Sequence, residues 1–173
     1  MAHKVNLTER NKDYSVFLPS ISSFYDRTIS RYREQGDSFF PPERIPSHFE
    51  DGLDGCDFLR QDAYYTYKWG LYSAGHAQLD LSKADAHDNM VQGRDRPNTF
   101  ILGDSGGFQI IKGVIQCDWA NFKSDDSLRH TILNWLEHTA DYSMILDIPT
   151  MAASEPYKQK TGIKDFRQCL DYT

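Results

Sequence analysis

A chain of 173 residues, 39% hydrophobic and 25% charged, has the composition of an ordinary globular protein and excludes a disordered or fibrous one. Its length suits one domain (1–173) with one packed core, and falls short of the roughly 250 residues that a complete eight-unit α/β barrel needs. A net charge of −6, from 19 basic and 25 acidic residues, counts against holding nucleic acid by bulk electrostatics and leaves that task to a local patch.

No run of about 18 apolar residues occurs, and the opening stretch MAHKVNLTERNKDYSVFLPS mixes charge with apolar residues instead of building a signal-peptide core. A cytoplasmic location without a membrane partner is the expectation. Cys56, Cys117 and Cys169 are odd in number, far apart and outside any C-x-x-C pattern, so they read as reduced thiols. Over residues 20–35, Ile21, Phe24, Tyr25, Ile29 and Tyr32 recur at spacings of three and four, which predicts a helix with one apolar stripe and Gly36 as its stop. The proline-rich SFFPPERIPSHFEDGLDG reads as a loop. The aromatic run from Phe58 to Tyr72 has the look of a stacking surface for bases, but rings buried in the core explain it more simply.

Thr99–Gly103 (TFILG) reads as a short buried strand, followed by Asp104-Ser105-Gly106-Gly107. FQIIKGVIQC, two apolar pieces around Lys112-Gly113, suggests a small hairpin. Ser124, Asp125 and Asp126 offer N-caps for a helix to about His138 that carries Leu128, Ile132, Trp135 and Leu136 on one face, and Ala140-Asp141 breaks it. Tyr142–Leu146 (YSMIL) reads as a second short strand leading to Asp147.

Strand, helix and strand make a β-α-β unit, whose strands run parallel. Asp104 and Asp147 then stand at the C-terminal ends of neighbouring strands, the rim where α/β proteins place their active sites. An aspartate after a strand is also a routine helix cap. The pair is more informative than either alone, because Gly106 and Gly107 permit close approach of backbone to a flat ligand, Phe108 supplies a ring face and Gln109 an amide. Such a set suits a purine, and guanine above all, whose N1–H and N2–H donate to a carboxylate.

Gly103-Asp104-Ser105-Gly106-Gly107 also reproduces the GDSGG string of chymotrypsin-like proteases, with Ala74-Gly75-His76-Ala77 as a faint histidine motif. His76 and Ser105 are too close in sequence to hold a whole β-barrel between them, and Phe108 stands where those enzymes carry proline. The longer string Ile101–Gln109, ILGDSGGFQ, resembles the DSGGFQ signature of the queuine-type tRNA-guanine transglycosylases. Ala140–Asp147, ADYSMILD, is similar to the same family's segment with an Asp, a Met three residues on and a second Asp three beyond.

The resemblance implies the N-terminal part of a TIM-type (β/α)8 barrel, apparently incomplete, that exchanges guanine in a nucleic acid for a free 7-deazaguanine base. It implies Asp104 as the catalytic proton acceptor, and Ser105, Gly106, Gly107, Phe108, Gln109 and Asp147 as base-binding residues. The family's nucleophilic carboxylate and its structural zinc site would lie beyond Thr173, so no cofactor or metal is expected in this chain, which reads as a fragment or as a half that a second chain completes. Tyr72–Ala77 stands where the tRNA enzymes carry Asn-Thr-Tyr-His-Leu. That departure favours slightly the branch in phages and bacteria that modifies DNA, with tRNA as the alternative substrate and a non-catalytic base-binding remnant as the second alternative. Either substrate must deliver its guanine out of the stack. His76, Asp80, Asp85, His87 and Asp88 lack convincing metal-ligand spacing, and Lys158, Lys160, Lys164 and Arg167 read as a solvated surface offset by Glu155, Asp165 and Asp171.

Overall fold

The computed structural model describes residues 16–77, 79–84 and 89–173. The signal-peptide reading therefore falls largely outside the described residues, as do Asp85, His87 and Asp88 of the discounted metal set.

Three strands form one parallel sheet in the order β1 (Trp69–Ser73), β2 (Phe100–Asp104), β3 (Tyr142–Ser143). Ser20 adds a parallel bridge to Leu71 of β1. Spatial order thus follows chain order. Each strand is followed by helices: α1 (Ser23–Gln35) after the Ser20 bridge, α2 (Ala74–Ala77) and α3 (Leu81–Ala84) after β1, α4 (Gly107–Lys112) and α5 (Ser127–Thr139) after β2, α6 (Tyr157–Thr161) and α7 (Phe166–Tyr172) after β3. The fold is mixed α/β. The described strands make an open sheet and do not close into a barrel.

The expected β-α-β unit forms, with β2 and β3 parallel and α5 between them in sequence. Its helix buries Ile132, Trp135 and Leu136, and the Trp135 ring lies 5.2 Å from that of Tyr72 on β1. Each such side chain removed from water contributes about 1.5–3 kcal/mol. Asp141, read as a helix breaker, also fixes the register. Its carboxylate accepts from Ile101 N (2.8 Å) and from the guanidinium of the buried Arg94 (3.1 Å), tying β2 and the segment before it to the residue that precedes β3.

Several local expectations fail. The hairpin over Phe108–Cys117 is instead the helix α4, ended by Gly113 in the left-handed region (φ 80°). A helix C-terminus and a tight hairpin turn both favour a glycine there, so Lys-Gly does not distinguish them. On α1 the inward face carries Asp26 with Ile29, while Phe24 is 78% exposed. β3 spans two residues, and Met144 and Ile145 beyond it face solvent. Of the aromatics from 58 to 72, Phe58 and Tyr72 are buried as expected, but Tyr64 and Tyr65 are exposed. That run also hides β1.

Candidate functional site

Parallel pairing brings the C-terminal ends of β1, β2 and β3 to one edge. Asp104 is the last residue of β2 and pairs in register with Ser73, the last of β1. The Ser73 hydroxyl donates to Asp104 Oδ2 at 2.6 Å and itself accepts from Gly75 N at 3.3 Å. Asp147 lies four residues past β3 rather than directly after it. The hydroxyl of the fully buried Ser105 reaches Asp147 Oδ1 at 3.4 Å, a loose contact. A Cβ on Gly107 would collide with the Asp147 carbonyl oxygen, so only glycine lets the start of α4 sit against that residue. Gly106 takes the left-handed conformation (φ 78°), and a Cβ there would stand 2.9 Å from Gly75 N.

Asp104, Ser105, Gly106, Gly107 and Asp147 therefore share one edge of the molecule. Gln109 packs its side chain over Gly75, and its Oε1 is buried with no hydrogen-bond partner among the described residues. Phe108 is 43% exposed, and Lys112 places its ammonium 4.7 Å from the ring centroid. Ser73 is the residue that sequence reasoning missed. Its only signal was a run of small residues, Ser73-Ala74-Gly75, straight after an apolar stretch.

Ser105 does not serve as a protease nucleophile. It is buried, its hydroxyl turns to Asp147, and His76 Nδ1 faces the carbonyl oxygen of Ile21 at 3.0 Å. The sheet is parallel throughout. Asp80 accepts from Ser82 in a local turn, and among the described residues no three His, Cys, Asp or Glu side chains gather as metal ligands.

Two cavities lie away from this edge. One of about 330 Å³ opens at the opposite end of the sheet, beside Lys68, Asp95, Asn98 and Thr99. Several of its polar groups are already engaged: Gln61 and Asn98 both donate to Asp95, and Arg60 pairs with Asp54 and Asp62 outside the cavity. The other, about 320 Å³, is lined by Cys117, Asp118 and Phe122 together with the start of α5. Burial pushes the Cys117 thiol up to about 11, with Asp118 adding to the effect, so it stays protonated and unreactive at neutral pH. The Asp104–Asp147 edge is the better candidate because its carboxylates keep acceptor positions open. The chain matches no protein-family model, no curated protein and no solved structure.

Proposed function

We propose that the edge carrying Asp104 and Asp147 binds a guanine-type base and belongs to a transglycosylase that exchanges guanine in a nucleic acid for a free 7-deazaguanine. The observation that supports this most directly is the meeting of two separate sequence motifs. The ILGDSGGFQ string brings Ser105 and Gly107 against Asp147 of the second string. In this reading Asp147 accepts from the N1–H and N2–H of the base, the glycine backbone lies along its flat edge, and the exposed Phe108 ring stacks on it. Asp104, oriented by Ser73, takes the proton that the incoming base must lose when its nitrogen bonds to the sugar. The exchange follows the double displacement of retaining glycosidases, in which a carboxylate holds the sugar while one base leaves and another enters. That carboxylate is not assigned to any residue of this chain. The chain-ordered parallel strands, each with its following helices, agree with the first half of a (β/α)8 barrel.

The test is titration of the protein with guanine and with a 7-deazaguanine, followed by transfer of labelled guanine into or out of DNA and tRNA. Asp147→Ala should weaken base binding by on the order of tenfold or more, the worth of a hydrogen bond to a charged group. An unaltered affinity in that variant removes the assignment. Transfer with DNA but not tRNA selects the DNA branch, and the reverse selects tRNA.

A further inference from the structure

The fold changes the meaning of two lysines that look unremarkable in the sequence. Lys112 ends α4, the helix that begins at Gly107 against Asp147. Its ammonium lies 4.7 Å from the centroid of the exposed Phe108 ring, one helical turn back. Lys160 comes from α6, far off in sequence, and reaches the same helix end. Its Nζ stands 3.5 Å from the Ile111 carbonyl oxygen and fills the space where a Cβ on Gly113 would be. Both side chains are exposed, and neither has a carboxylate within ion-pair distance among the described residues. By contrast Arg33, Arg60, Arg94, Lys123 and Arg129 all spend charge on aspartates.

We infer that Lys112 and Lys160, with Phe108 beside them, form the surface that receives the sugar-phosphate backbone of the nucleic acid next to the flipped guanine. This rests on the base-binding reading above and names where the rest of the substrate runs. A protein of net charge −6 needs a local cationic patch to hold a polyanion. Five residue steps along α4 separate Gly107 from Lys112, about 7.5 Å. At a rise of about 3.4 Å per nucleotide, that reaches phosphates about two positions from the base held at Asp147. Lys160 also interacts with the negative end of α4, and that role alone would leave nucleic-acid binding indifferent to it.

The experiment measures binding of a guanine-containing single-stranded oligodeoxynucleotide and of tRNA across a salt series. It uses the intact chain, the double variant Lys112→Ala/Lys160→Ala, its Arg/Arg counterpart, and Lys123→Ala as a control whose charge is paired with Asp171. Losing two phosphate contacts should flatten the slope of log K against log salt by about 1.4 on single strands. The Arg/Arg variant should keep the slope, Lys123→Ala should leave it unchanged, and affinity for free guanine should be the same in all four. Whichever nucleic acid shows the loss identifies the substrate. A double-variant slope equal to the intact chain's overturns the proposal, as does an equal change in the Lys123 control or a parallel loss of guanine binding. If the intact chain binds guanine but no nucleic acid, the surface falls while the base site stands. If the lysine-dependent slope is seen without guanine binding, the base site falls instead.

Discussion

The aspartates of the loop-rich region around α1 and those at the C-terminal edge of the sheet are used in opposite ways. Asp57 is fully buried and meets the guanidinium of Arg33 at 2.5 Å while accepting from Leu59 N, and Asp54 holds Arg33 and Arg60 together. Asp26 is 5% exposed and accepts from Asn89 Nδ2 and Met90 N, both at 2.9 Å. These carboxylates each accept from two donors and pin α1 to the loops around it. Asp104 and Asp147 each show one serine hydroxyl instead, at 2.6 and 3.4 Å. A carboxylate offers about four acceptor positions, so among the described residues each edge aspartate, with one donor, keeps more of them open than each of the three loop aspartates, with two. Carboxylates held by buried amides and guanidinium groups anchor the fold, and those met by a single hydroxyl at the sheet edge remain available to a ligand.

The largest effect that would break this contrast comes from Arg33→Ala. It leaves Asp57 as a buried charge without its cation and should cost about 3–5 kcal/mol in urea denaturation. A loss below about 1 kcal/mol would mean that this cluster is not structural. Next in size is the pH dependence of Asp26, whose carboxyl is raised from 3.8 to about 6, chiefly by burial. A raised carboxyl binds its proton more tightly in the folded state, so its contribution is present below pH 4 and is lost as the pH rises through about 6. The displacement corresponds to about 3 kcal/mol. Subtracting the stability curve of Asp26→Asn from that of the intact protein between pH 4 and 7 should expose this fall, and parallel curves would contradict it.

Of the fold, the β2-α5-β3 unit was legible because its apolar stretches are bounded by clear caps and its helix shows a full stripe at Ile132, Trp135 and Leu136. Strand β1 was not, because Trp69 and Tyr72 sit within a longer aromatic run whose alternation does not stand out. Helix α4 is six residues long, too short to display a period, and its adjacent Ile110 and Ile111 are both buried. The inward Asp26 escaped notice for a different reason: an apolar-stripe argument assigns charged residues to solvent and cannot foresee the amide donors of Asn89 and Met90, more than sixty residues away. At the edge, the sequence motifs carried Asp104, Ser105, Gly107 and Asp147 together. Ser73 entered only through the β1–β2 register.

Gly107→Ala sharpens the comparison at smaller scale. Its Cβ would press on the backbone carbonyl of Asp147, which cannot rotate away like a side chain, so a loss of about 1–3 kcal/mol is expected in thermal unfolding. Guanine affinity should fall with it, since Asp147 must shift. Unchanged stability would mean that the two segments are not held in contact.

The smallest expected effect belongs to Ser73→Ala, and it separates fold from site most cleanly. Removing one hydroxyl from a partly exposed carboxylate costs about 1 kcal/mol or less of stability, because water can replace the lost donor at Asp104. The hydroxyl's second role is to select which oxygen of Asp104 faces outward: with Oδ2 engaged, Oδ1 is left for a ligand. Base transfer, or base affinity where transfer is absent, should therefore drop by more than the stability loss accounts for, and Ser73→Thr, which keeps the hydroxyl, should restore it. If alanine and threonine behave alike, Asp104 is oriented by the backbone alone and the serine merely fills the end of β1.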